Sequence, residues 1–280
     1  MAMARDVTRV AILLLLLPAL AGSPLAAGAP PADDQHVLVV AITEGPDPIP
    51  QIIWAAPDGI WPPIAVDPGR ADGRPHIAHD GSGPVVVWAY RSGGDHDVAL
   101  LRWTGAAWAP LEIVAGGPAN EIDPRAFVTS SGLIHAVWWV PHPTPVVQYA
   151  QGRPGTFGYR QSVAIAARRP SVVQWLGSVL VAFERDAAAG QQIVLATRGG
   201  VGGFTQSPLF QVARTEPLDV VLHAEGGVLW MDWKASDTEM AYSIAAGATW
   251  SSPVTVPWHD PSWAGTEEVR ATIRQIVLVP

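Results

Sequence analysis

The chain has 280 residues, 49% of them hydrophobic and 15% charged, with a formal net charge of −8, 27 glycines, 27 prolines and no cysteine. Its acidic balance argues against nucleic acid or an anionic membrane surface as a general partner, since both are polyanions. Without cysteine there is neither a disulfide nor a lipid-anchoring thiol, so stability must come from a packed core, which a chain of this length can bury.

In chain order, Arg5 and Arg9 precede the apolar run Val10 to Leu17, and small residues follow. Cleavage sites are offered by Ala19-Leu20-Ala21 and by Ala27-Gly28-Ala29. Residues 1–29 are therefore expected to be a secretory signal peptide and lead-in, cleaved near 21 or 29, which predicts a secreted or periplasmic location. The apolar run is too short for a comfortable membrane span, so none is expected after cleavage. Residues 30–280 read as a single domain.

That domain is written as one unit, repeated. Pro75, Pro124, Pro170 and Pro217 open the units at steps of 49, 46 and 47 residues. Each proline is followed by a short alternating run and a glycine (Gly83, Gly132, Gly177, Gly227), then by PVVVWAY, LIHAVWW, SVLVAF or VLWMDW. A third run follows a polar loop, and a Gly-rich turn delivers an aromatic: Trp108, Phe157, Phe204 or Trp250. Short runs rich in Val, Ile, Leu and Trp, bounded by Gly, Pro, Asp and Ser, are strands. Four strands per unit at this period predict an all-β fold, a five-bladed β-propeller of four-stranded antiparallel blades. The blades fall near 75–115, 124–165, 170–213 and 217–257. The fifth is split: residues 36–66, with Trp61 at the outer turn, supply three strands, and residues 268–280 supply the inner one. Closing the ring in this way removes exposed sheet edges.

Ser243-Ile244-Ala245-Ala246-Gly247-Ala248-Thr249-Trp250 resembles the Asp box of sialidases and related propellers, Ser-x-Asp-x-Gly-x-Thr-Trp, with Ala245 in place of the Asp. The copies ending at Phe157 and Phe204 are more degenerate, the first keeping Thr156. The resemblance covers the four full repeats. It implies that the box is a structural turn away from the working face. Sialidases have six blades, which makes six the alternative to the count of five.

Ligands of propellers usually sit on the face made by inter-blade links and second-to-third-strand loops, and here the charges gather in those segments. Arg74, Arg125, Arg169 and Arg270 each fall within a residue of the start of an innermost strand. Converging guanidiniums would hold a carboxylate, sulfate or phosphate through bidentate forks, and the set is similar to the arginine cluster with which sialidases hold their substrate carboxylate. The alternative is that each arginine pairs with a nearby acid: Asp72, Asp123, Glu216 or Glu268. Asp72, Glu216 and Glu268 are also the candidate catalytic carboxylates, since a glycosidase needs two. Two patterns, His76-x-x-His79-Asp80 and Asp95-His96-Asp97, hold metal-ligating residue types but do not make a metal site, because residues three apart on a strand point to opposite faces and one short loop is too few ligands. No metal and no cofactor are expected. Trp139, Trp258 and Trp263 lie outside the core pattern and can stack on a sugar ring. The expected function is an exported binding or scaffold module for a glycan or another anionic ligand. Two alternatives are a sialidase-type glycoside hydrolase and a protein–protein interaction domain.

Overall fold

The computed structural model describes residues 36–42, 50–56, 59–60, 64–65, 71–79, 84–102, 104, 109–141, 143–158, 160–200, 202–225, 227–247, 249–257 and 273–279. They form two compact units, one from residues 1–71 and 260–280, the other from residues 72–259. The first holds one antiparallel sheet: β1 (His36–Ile42), β2 (Pro50–Ala56), β3 (Gly59–Ile60), β4 (Ile64–Ala65) and the last strand of the chain, β22 (Ile273–Val279). β22 pairs antiparallel with β1, from His36 opposite Val279 to Ala41 opposite Ile273.

Four more sheets follow, each built on a meander of sequence-adjacent strands, with the last strand of sheet five paired instead to that sheet's third. Sheet two is β5 (Ala71–His79), β6 (Pro84–Ser92), β7 (Asp95–Arg102) and β8 (Glu112–Ala115). Sheet three is β9 (Ile122–Val128), β10 (Ile134–Val140), β11 (Val146–Gly152) and β12 (Gln161–Ile165). Sheet four is β13 (Arg168–Trp175), β14 (Ser178–Ala187), β15 (Gly190–Gly199) and β16 (Thr205–Val212). Sheet five is β17 (Val221–Glu225), β18 (Val228–Lys234), β19 (Glu239–Ala246), β20 (Thr249–Trp250) and β21 (Val254–Pro257). No helix occurs among the described residues, hence none long and apolar enough to cross a membrane. The fold is an all-β propeller built from antiparallel blades.

The core explains why second strands read as unbroken apolar runs. Successive side chains of a strand point to opposite faces, and here both faces are covered by neighbouring sheets. On β10, Ile134, Ala136 and Trp138 pack with Val85, Val87 and Leu100 of sheet two, while Val137 packs with Val181 and Phe183 of sheet four. On β14 the alternate residues Leu180 and Ala182 turn to Leu222 and Met231 of sheet five. Trp138, Phe183 and Trp233 are buried at matching positions on their second strands. The outer-turn aromatics Phe157, Phe204 and Trp250 are only half-buried, each against one core cluster. Their turns share a bond: Thr156 Oγ1 donates to the Arg153 carbonyl and Thr249 Oγ1 to the Ala246 carbonyl, both at 3.0 Å. Trp61 and Trp108 lie outside the described residues.

The innermost strands carry one irregularity three times over. Ile122 pairs with Trp139 and Arg125 with Val137, which leaves Asp123 and Pro124 opposite Trp138 alone. Arg168 pairs with Glu184 and Ser171 with Ala182, leaving Arg169 and Pro170 opposite Phe183. In sheet five Lys234 N–H donates to the Leu218 carbonyl at 2.8 Å and Val221 pairs with Asp232, leaving Asp219 and Val220 opposite Trp233. Each is a β-bulge, two residues against one. Its first residue is left-handed in every case: Asp123 at φ 47°, Arg169 at 47°, Asp219 at 51°. In sheet five the bulge thus begins at Asp219, with Val220, not Pro217, in the place of Pro124 and Pro170.

Candidate functional site

The bulges set the geometry of the link-and-loop end of sheets three to five. A left-handed backbone suits glycine, is tolerated by Asp, and strains most other residues by about 1–3 kcal/mol. It re-aims the side chain of the bulge residue toward the end of the second strand. Trp139 Nε1 donates to Asp123 Oδ2 at 3.0 Å. Arg169 Nη1 lies 3.5 Å from Glu184 Oε2, and Lys234 Nζ lies 3.2 Å from Asp219 Oδ2. Trp139, Glu184 and Lys234 are equivalent residues of β10, β14 and β18, so one construction is repeated with three chemistries.

Adjacent sheets are then tied together. β9 and β17 both lie beside β13. Arg169 Nε approaches Asp219 Oδ1 at 3.9 Å, and the Asp219 N–H donates to Glu184 Oε1 at 2.7 Å. Arg168 adds a contact to Glu184 Oε2 at 4.0 Å and a bond to Asp186 at 2.5 Å. The result is an alternating chain, Arg168–Glu184–Arg169–Asp219–Lys234, across sheets four and five. Burial raises the Glu184 carboxyl above its ordinary value, opposed by Arg169 and by the backbone N–H groups of Asp219 and Leu218. Glu184 is wholly buried, while Arg169 and Lys234 keep roughly a third of their side-chain surface in solvent (28% and 31%) and Trp139 is half-buried. The accessible rim is therefore an indole edge with paired cations and carboxylates.

The four arginines expected at this end are placed as follows. Arg169 is at the bulge of sheet four, paired with Glu184 and Asp219. Arg125 stands two residues past the bulge of sheet three, at the position of Ser171, so the two are not equivalent. At that position side chains reach the neighbouring innermost strand: His76 Nδ1 accepts from Ala126 N–H at 3.4 Å, and Ser171 Oγ from Leu222 N–H at 3.0 Å. Burial first, then the Arg125 charge and that of His223, hold His76 far below its ordinary value, at about 3. The backbones of Asp72 and Arg74 lie in β5, and their side chains are outside the described residues, as are Glu268 and Arg270 entirely. Glu216 is exposed and bonds Arg214 at 2.5 Å, which also holds Asp237 at 2.8 Å. Trp258 and Trp263 are outside the described residues. Among the described residues no group of three His, Cys, Asp or Glu side chains is arranged to hold a metal ion.

The sequence named Asp123 only as a possible partner and left Glu184, Asp219 and Lys234 among undifferentiated loop charges. A signal was present at two of the three bulge residues. Asp123 and Arg169 immediately precede a proline at the head of a strand, where extended backbone is the rule, and the bulge breaks that rule.

No protein-family model matches the chain, and no curated protein does. Solved structures do. A Trypanosoma rangeli sialidase in complex with sialic acid matches 71% of this chain and 42% of its own, at 10% identity and a TM-score of 0.52. The sialidase of the same organism in complex with 2,3-difluoro-KDN matches 76% of this chain and 44% of its own, at 11% identity and a TM-score of 0.56. This chain therefore spans less than half the length of those sialidases. The chain shares the β-propeller fold with them, and at such identity the likeness is one of fold alone.

Proposed function

We propose that the protein is an exported glycan-binding propeller whose sugar-contacting surface is the bulged end of the innermost strands. The observation that carries this reading is the threefold bulge: strained, left-handed polar residues at equivalent positions, presenting Trp139, Arg169, Asp219 and Lys234 at one end of the blades. Backbone strain repeated at equivalent positions of three sheets is a mark of a working site. Because Arg169 and Lys234 are already answered by carboxylates, the rim favours hydroxyl groups, which accept from the cations and donate to the acids, over a strong anion. The exposed part of the half-buried Trp139 ring offers apolar surface to sugar C–H groups. Glu184 has no exposed surface to meet a substrate, which favours binding over hydrolysis.

The test is glycan-array binding of the purified protein, followed by titration of the best ligand. Trp139→Ala and Lys234→Ala are each expected to weaken binding roughly tenfold. Release of sugar from a sialoside, or from the bound glycan, would replace this reading with the hydrolase alternative. An array without a hit would refute it.

A further inference from the structure

A different part of the same end has a feature that the bulges do not explain. Glu121 closes the link between sheets two and three, with its N–H donating to the His96 carbonyl at 2.7 Å, and only 1% of the residue is exposed. Its Oε1 lies 3.2 Å from Arg160 Nη1, while its Oε2 is buried with no hydrogen-bond partner. On β10, the wholly buried Trp138 also has an Nε1–H with no partner. Both residues line a single open recess of about 800 Å³, whose walls include Val140, Val146, Gln148 and Thr144. Buried polar groups without partners are uncommon, and each calls for an explanation. Two of them, an acceptor and a donor, belong to residues that line one recess.

A hydroxyl group answers both, since it donates to a carboxylate oxygen and accepts from an indole N–H. Val140 and Val146 add apolar surface beside these polar atoms, the combination that a pyranose or furanose ring presents in complement. A free anion would meet Glu121, together with Asp95 and Asp97, whose charges act on it. A free cation would compete with Arg160, which is already seated. We propose that this recess is a second binding site, for a single neutral sugar residue or a similar small polyol, held by Glu121 Oε2 and Trp138 Nε1 through its hydroxyls. Burial raises the Glu121 carboxyl to about 7 against the pull of Arg160, so near neutral pH both its protonated and charged forms are available to a hydroxyl. The site does not depend on the bulge reading: Trp138 and Trp139 are consecutive on β10 and point to opposite faces.

The experiment titrates the purified protein with glucose, galactose, mannose and arabinose, and with sialic acid as the anionic comparison, read by saturation-transfer NMR and by tryptophan fluorescence. Saturable binding of a neutral sugar is expected. Glu121→Gln should weaken it about tenfold or more, the effect of losing a charge-assisted hydrogen bond. Thr144→Trp, an exposed loop position, should block it and decides the matter if Glu121→Gln fails to fold. Binding that is lost in Lys234→Ala and unchanged in both recess variants belongs to the bulges and overturns the proposal. So does the absence of saturable binding by every neutral sugar, or a preference for sialic acid.

Discussion

Glu184 and Glu121 are both buried carboxylates at the link-and-loop end of their sheets, and the protein treats them in opposite ways. Glu184 is surrounded: Arg169 and Arg168 on one oxygen, the Asp219 N–H on the other. Glu121 has Arg160 on one oxygen and nothing on the other. A buried charge with every lone pair met ties two sheets together. A buried carboxylate with one oxygen unmet, on a residue that lines an open recess, is the feature on which the proposed sugar site rests.

The largest expected effect tests the tie. Glu184→Ala leaves Arg168 and Arg169 half-buried without their shared acid and orphans the Asp219 N–H, so it should cost about 3–5 kcal/mol in denaturant unfolding. Glu121→Ala should cost far less, and equal costs would erase the distinction. Next in size, Gly190→Ala acts at the turn that ends β14, the strand of Glu184. Gly190 has φ +123°, and an added Cβ would stand 2.3 Å from the Val212 carbonyl oxygen. The expected loss is roughly 2–4 kcal/mol. It should reproduce the Glu184→Ala loss of rigidity in sheet four, seen by hydrogen exchange, without altering sugar titrations at the recess.

A smaller effect separates the two carboxylates by pH. The Glu121 carboxyl is raised from 4.5 to about 7 in the folded protein. The folded state therefore holds the proton more tightly, and this residue's contribution is fully present below pH 4.5 and lost as pH rises through 7. Glu121→Gln should be more stable than the parent above pH 7 by roughly 1–2 kcal/mol and no more stable below pH 4.5, by thermal melts across the range. The smallest effect is the net acid response of the parent. His135, buried and bonded through Nδ1 to the Tyr149 hydroxyl at 2.7 Å, is lowered from 6.5 to about 4, chiefly by burial. Its contribution is present above pH 6.5 and is lost as pH falls toward 4. His76 acts in the same direction, so on acidification Glu121 and the two histidines oppose each other. Glu121→Gln, lacking its side of that balance, should lose more stability than the parent between pH 6.5 and 4.5.

Much of the fold was legible because a propeller core repeats locally. Val85 to Trp88, Ile134 to Trp138 and Val179 to Phe183 are buried on both faces, so they read as apolar runs whatever the rest of the chain does. The site was less legible because it depends on register between strands. The alignment on Pro217 placed the last unit three residues early, since the bulge residue there is followed by Val220 and not by proline. Left-handed positions were hidden because Asp123, Arg169 and Asp219 fill them in place of glycine. Glu184-Arg185-Asp186 reads as a solvated loop, yet it belongs to the ten-residue strand β14, and its first residue meets Asp219, 35 positions onward. No local pattern reports such a partner. Of the outer-turn aromatics, Phe157, Phe204 and Trp250 sit at the turns where the repeat places them, half-buried and each against one core cluster.

The pairing of β1 with β22 has a consequence for how the molecule is made. The first strand completes its sheet with the last, so during synthesis β1 waits through nearly the whole chain for its neighbour. Until Ile273–Val279 emerges, the backbone groups of β1 on that side have no partner from β22. An unpaired edge of this kind recruits other chains, and pairings so distant in sequence form slowly. Deleting β22 should therefore favour accumulation of aggregated or chaperone-held chains, even though the four sheets between Ala71 and Pro257 keep every strand they need.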